Sequence, residues 1–162
     1  MSKRKGFTLV ELLVVIAIIA VLAGALLIAI NPQSLIQKGR DSKRLQDIDS
    51  LNKALTIGIV EGEVTLAANT GNSGTGTQSV AGTGWITYTI PTGKTGLSKY
   101  IPALPLDPLN TGANVYYFAS SATGYELNAV LEHPDNTAKM TTDGGNDPAR
   151  LEVGTVLTLM TP

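Results

Sequence analysis

The 162-residue chain contains no cysteine, which excludes disulfides, a lipid-bearing cysteine, thiolate metal sites and thiol nucleophiles. It has one histidine, His133, and one tryptophan, Trp85. A single histidine gives no support to a histidine metal cluster or to a triad that relies on further histidines. Next to Pro134, His133 reads as a surface loop residue, whereas Trp85 reads as core or edge packing. Basic residues are scarce past residue 44, where five Lys and Arg stand against eleven Asp and Glu. So acidic a distal part is a poor match for nucleic acid as a main partner. No carboxylate pair stands out as an acid/base couple. "PTGKTG" at 91–96 contains Gly-Lys-Thr, but the glycine that a phosphate-binding loop needs five positions before Gly93 is replaced by Tyr88. These absences argue against an enzyme.

One long hydrophobic run is present. From Phe7 to Ile30 the only charged residue among 24 is Glu11. As a helix these residues span roughly 36 Å, against a hydrocarbon core of about 30 Å. Lys3, Arg4 and Lys5 precede the run with no acidic residue among them, so the positive-inside rule keeps residues 1–6 cytoplasmic and sends the C-terminal part outward. An ordinary secretory signal shares the basic start, but its apolar region is usually about 7 to 15 residues. "VLAGA" at 21–25 is the cleavage site that such a reading would use. Glu11 argues against it, because a carboxylate at a membrane helix centre costs about 2.5 to 3.5 kcal/mol and is usually kept for a partner.

"KRKGFTLVELLVVIAIIAVLAG" closely resembles the type III signal of type IV prepilins and type II secretion pseudopilins, with a basic leader, Gly, Phe, and Glu at the fifth position after the cleavage point. The resemblance implies that a membrane-embedded prepilin peptidase cuts between Gly6 and Phe7, that the new amine of Phe7 is methylated, and that the apolar helix is retained. It also implies that Glu11 pairs with the N-terminal amine of a neighbouring subunit during filament assembly, the alternative being that Glu11 simply snorkels to the membrane interface. Such an α-amine, with an ordinary pKa of about 7.7 to 8.0, is largely cationic at neutral pH. The implied fold is α+β and pilin-like: a long N-terminal helix, half transmembrane and half amphipathic, packed on a small antiparallel sheet with an irregular C-terminal loop.

The rest of the chain fits this division into a leader (1–6), a transmembrane helix (7–31) and a soluble domain (32–162). Asn31-Pro32 predicts a kink or break. An amphipathic helix is expected over about 33–60, with Leu45, Ile48, Leu51, Leu55 and Ile59 forming one apolar stripe. Arg40, Asp41, Lys43, Arg44 and Asp47 read as a solvated charged face, with bridging between subunits as the alternative. Gly58 and Gly62 offer helix stops. The Gly-, Ser-, Thr- and Asn-rich stretch at about 67–84 reads as a flexible surface loop. The sheet is expected over about 85–132, from "WITYTI", "NVYYFAS" and "YELNAVLE", with "SATG" as a hairpin connection. One face of that sheet would lie on the helix stripe.

"KYIPALPLDPLN" at 99–110 resembles the Pro-Asp-Pro segment of major pseudopilins at Pro105, Asp107 and Pro108. In the C-terminal loop (133–162), "TTDGGNDPARLEVGT" offers Asp143, Asn146 and Asp147 as hard oxygen ligands of the kind calcium takes. It is not an EF-hand. Its resemblance to the pseudopilin C-terminal loop implies one structural calcium ion, the alternative being an Asx/Gly turn without metal. The implied function is that of a filament subunit, in the first instance the major pseudopilin of a type II secretion system that helps drive protein export. The alternatives are a type IV pilin for adhesion, motility or DNA uptake, and a secreted binding module or enzyme with an ordinary signal peptide. Implied partners are further copies of the chain, minor pseudopilins, the prepilin peptidase, and an inner-membrane platform with its ATPase. The implied location is the inner membrane, with the C-terminal domain outside the cytoplasm and the assembled filament periplasmic or extracellular.

Overall fold

The apolar run has no polar face, so the helix it forms has no preferred buried side. In the computed structural model, which describes residues 6–161 apart from the side chains of Ile28 and Ala29, it forms α1, Leu9–Ile30. The segment Leu9–Leu27 has a mean hydropathy of 2.9 and none of it is buried within the protein. It is long and apolar enough to cross a membrane. The leader residues Lys3, Arg4 and Lys5 lie outside the described residues. The helix ends at Asn31, which adopts a left-handed conformation with φ 44°. α2, Pro32–Val60, starts on the following proline, at the first-turn position where its missing N–H costs nothing.

The chain divides into two compact units, one ending at Ile36 and one starting at Gln37. In the second unit, α2 buries Ile48, Leu51, Ala54 and Leu55, a stripe at helical spacing. The stripe departs from the expected one at its ends: Leu45 is half-buried, and Ile59 is exposed. Gly58 is buried in its place, and a Cβ there would meet Val64 and Leu97 at 3.2 and 3.3 Å. Gly62, with φ 67°, ends the helix, while the N–H groups of Glu63 and Val64 close on the carbonyl of Gly58.

Four strands form one antiparallel sheet in sequential order: β1 (Asn69–Asn72), β2 (Tyr117–Ser120), β3 (Tyr125–Ala129) and β4 (Leu151–Gly154). β2 and β3 form a hairpin closed by the Ser121 N–H donating to the Gly124 carbonyl at 2.8 Å. A short helix α3, Thr137–Thr141, precedes β4.

The sheet therefore extends beyond 85–132 at both ends, and two segments change their reading. β1 lies within the stretch expected as loop, because Gly71 lets the Trp85 carbonyl approach to where a Cβ would stand at only 2.2 Å. β4 and α3 lie within the C-terminal stretch expected as irregular. Conversely, residues 85–90 form no strand. They make single bridges, Thr65 with Thr89 and Thr83 with Thr87, and are held by their side chains instead. Trp85, Ile86 and Tyr88 are buried, and the Trp85 indole donates to the Pro105 carbonyl at 3.0 Å.

Tyr125, Leu127 and Ala129 alternate onto the face that joins the α2 stripe in one core. Tyrosine hydroxyls cross to the helix, that of Tyr125 in β3 to Asn52 Oδ1 at 2.7 Å and that of Tyr116, just ahead of β2, to Asp47 Oδ2 at 2.9 Å. Glu126 and Asn128, on the opposite face, are equally buried. The C-terminal segment covers them, so the sheet is sandwiched rather than solvated on its second side.

Candidate functional site

At the start of α1 the sequence places Thr before an apolar run, with Glu three residues later, which is a capping box. The structure forms it. Thr8 is the N-cap; its Oγ1 accepts from the Glu11 N–H at 3.2 Å, and its own N–H and hydroxyl donate to Glu11 Oε2 at 2.7 and 2.8 Å. Gly6 and Phe7 stand ahead of the helix without regular secondary structure, and both are exposed, Phe7 by 80%. The three residues expected at the processing and assembly site thus lie at one end of one helix. The Gly6–Phe7 peptide bond lies outside the helix, and the carboxylate is one turn inside the helix end.

The charged residues of α2 form a second cluster that sequence reading took for a solvated face. Arg44 is fully buried. Its Nε and Nη2 donate to the two oxygens of Asp107 at 2.6 and 3.0 Å, and its Nη1 reaches Asp41 at 3.0 Å and Glu132 at 2.6 Å. Arg40 forks onto the same Glu132. Asp41 accepts from the N–H groups of Glu132 and His133 and from the Asn136 amide. Burial works against the Arg44 charge, but the hydrogen bonds to Asp107, Glu132 and Asp41 outweigh it and raise its pKa. Burial would raise Asp41, but its backbone donors hold it below the ordinary range. The Arg40 fork holds Glu132 low against its own burial. Two guanidinium groups and three carboxylates thereby join α2 to the Pro-Asp-Pro segment and to the end of the hairpin. His133 is correspondingly not a surface residue. It is 7% exposed, because Asp41 draws residues 132–136 inward. Its Nδ1 accepts from the Asp135 N–H at 3.1 Å.

The C-terminal loop does not present Asp143, Asn146 and Asp147 as a ligand set. Asp143 spends its two oxygens on the N–H groups of Gly145 and Glu152, at 2.9 and 2.7 Å. Asp147 accepts from the Ala149 N–H and pairs with Arg150 at 3.2 Å. The Asn146 amide turns away to the Met160 carbonyl at 3.1 Å. These carboxylates cap Asx turns. Among the described residues no group of three or more His, Cys, Asp or Glu has the arrangement of a metal site. Beneath the loop, however, lie Glu126, Asn128 and Glu152, which sequence reading missed because alternation on a strand assigns such residues to solvent.

Glu152 is pushed up to about 7, chiefly by burial and then by the Glu126 and Asp143 carboxyls, against a hydrogen bond from the Asp147 N–H. Its folded pKa lies above the ordinary glutamate value, so the folded state holds the proton more tightly. In chelator, the stability from this group is complete below about pH 4.5 and is lost as pH rises through about 7. Asp41 and Glu132 act in the opposite sense, losing their contribution as pH falls through their lowered values. Thermal unfolding of the full chain in chelator is therefore expected to show Tm falling from pH 5 to pH 8 and falling again in stronger acid. A flat profile between pH 5 and 8 contradicts the Glu152 assignment.

The Arg44 cluster ties α2 to the Pro-Asp-Pro segment and to the end of the hairpin. No curated protein and no solved structure matches the chain. Residues 1–27, a segment that runs through α1 as far as Leu27 and contains Gly6, Phe7 and Glu11, match the family described as the prokaryotic N-terminal methylation motif. With that motif covering most of an exposed apolar helix, the chain carries the type IV pilin-like prepilin signal.

Proposed function

We propose that this protein is a structural subunit of a helical pilus-like filament, made as a membrane-anchored precursor. One observation carries the reading: the methylation motif at residues 1–27 takes in most of a capped, lipid-compatible helix, with Gly6 and Phe7 exposed ahead of it. Cleavage between Gly6 and Phe7 by a prepilin peptidase removes the basic leader and creates a cationic amine four residues before Glu11. Methylation keeps the charge on that amine, and Glu11 offers it a carboxylate on the neighbouring subunit. The apolar helices then leave lipid for one another, while residues 37–162 remain outside the cytoplasm.

Within this class, the Pro-Asp-Pro segment around Asp107 and the lack of cysteine support the major pseudopilin of a type II secretion system, working with minor pseudopilins, a platform protein and its ATPase. A type IV pilin is the second reading, favoured by the same motif. Intact-mass measurement of the mature protein tests the proposal: a chain starting at Phe7 and carrying one methyl group is expected. A start beyond residue 23 identifies an ordinary signal peptide and overturns it.

A further inference from the structure

We infer that the cavity on the sheet face turned away from α2 is a binding site for a small neutral saccharide of one or two rings, with Asn128 and Arg150 as the residues that recognise its hydroxyl groups. The cavity has a volume of about 580 Å³, a size usual for small-molecule sites. Its floor is a single cross-strand row. Asn72 in β1 stands opposite Tyr117 in β2, and Tyr117 stands opposite Asn128 in β3, so the three side chains leave the sheet on the same side. The Asp147–Arg150 turn and the returning residues Leu159 and Met160 supply further lining.

Two polar atoms of this lining are buried without a hydrogen-bond partner: Asn128 Oδ1 and Arg150 Nη1. Asn128 is only 2% exposed. The first atom accepts and the second donates. Buried polar atoms left unmatched are costly, so the cavity suits a ligand that both donates and accepts. Arg150 is already held in place. Its Nε pairs with Asp147 at 3.2 Å, and its guanidinium lies over the ring of Tyr117 at 4.5 Å. Asp147 is itself fixed by the Ala149 N–H at 2.9 Å. Asn72 spends its Oδ1 on the N–H groups of Gly74 and Thr75, at 3.0 and 3.1 Å, which leaves its amide nitrogen as a further donor.

Charge narrows the ligand class. Asp147 already answers the Arg150 cation, Glu152 continues the floor row in β4, and Glu126 lies on the same face, both of them buried. An anionic ligand therefore adds charge to a face that is already acidic, and a cationic one meets the guanidinium. A purely apolar ligand leaves Asn128 Oδ1 and Arg150 Nη1 unmatched. Hydroxyl groups carry no charge, and each donates and accepts. A sugar ring presents several of them around an edge, together with C–H surface that Leu159 and Met160 can cover. The lining lies wholly within residues 37–162, and the site does not depend on how the chain assembles.

The test uses the full chain in a detergent without a sugar headgroup. Glucose, galactose, mannose, N-acetylglucosamine, maltose and lactose are titrated one at a time, with saturation-transfer NMR and thermal unfolding as readouts, and sodium acetate serves as the anionic comparison. At least one sugar is expected to receive saturation and to raise Tm by roughly 3 to 6 °C at a concentration tenfold above its Kd, whereas acetate should do neither. Asn128→Leu removes the acceptor at nearly constant volume. Arg150→Lys keeps the charge beside Asp147 but loses the second guanidinium nitrogen. Each variant should weaken binding tenfold or more while circular dichroism shows the fold retained, and Lys53→Ala, on the exposed side of α2, should bind as the unaltered chain does. No saturation transfer to any of the six sugars overturns the site. Binding of acetate in their place overturns the charge argument and the ligand class with it. A Tm rise that persists in both Asn128→Leu and Arg150→Lys is the general stabilisation given by excluded sugars, and it overturns the site as well.

Discussion

Replacing Arg44 by alanine is expected to lower Tm by roughly 10 °C or more, because it leaves three carboxylates facing one another without the guanidinium that all three contact. Removing one partner of a buried ion pair typically costs about 3 to 5 kcal/mol, and a chain of this length loses roughly 2 to 4 °C per kcal/mol. Asp107 is engaged twice. It takes the Arg44 fork, and its Oδ1 also accepts from the N–H groups of Leu109 and Asn110, at 2.8 and 3.3 Å. Asp107→Ala should therefore be nearly as damaging. Arg44→Lys should recover only part of the loss, since an ammonium cannot reproduce the two parallel bonds to Asp107. The double variant Arg44→Met, Asp107→Leu discriminates the causes. If electrostatic pairing is what matters, it should lose less than the sum of its single changes. Equal stability of Arg44→Ala and the unaltered chain in a thermal melt would show the cluster to be energetically idle.

The second large effect is expected on assembly rather than on folding. Glu11 has two jobs that a single alanine change confounds: it closes the capping box with Thr8 and it supplies the only charge in the apolar run. Glu11→Gln keeps an acceptor for the Thr8 N–H and hydroxyl but removes the charge. That variant should insert and be cut between Gly6 and Phe7 normally, yet its incorporation into sheared filaments should fall by roughly a hundredfold or more. The estimate is the cost of leaving a neighbour's amine unpaired between apolar helices. Thr8→Ala makes the complementary test, losing the cap at a cost of about 0.5 to 2 kcal/mol while retaining the charge. It should assemble far better than Glu11→Gln. Normal filaments from Glu11→Gln would reduce Glu11 to a helix cap.

What could be read from the sequence was governed by range. The apolar run, the break at Asn31-Pro32, the α2 stripe and the Ser121–Gly124 hairpin depend on neighbours within a few residues, and their patterns are visible. β1 was hidden because "NTGN" has little strand preference of its own. Its pairing is imposed by β2 and by the close passage of Trp85. Arg44 was misread for a related reason. On the helix its surroundings are polar, and the residues that bury it, Asp107 and Glu132, lie far along the chain. Glu126 and Asn128 obey the alternation that normally assigns a side chain to water. Only the return of Leu159 and Met160 across them reverses that assignment. The methylation motif at residues 1–27 was legible because such a signal is short and linear.

The order of the strands has a consequence for the time course of folding. β2 and β3 are adjacent in the chain and joined by a tight turn, whereas β1 must wait for the whole stretch from Ser73 to Tyr116 to loop back before it can pair. Closing so long a loop delays contact formation more than it weakens the final state. The β2–β3 hairpin and α2 are therefore expected to come together first. β1 and β4 should dock on its two edges afterwards, so that a folding chain shows two open strand edges until its last residues have docked.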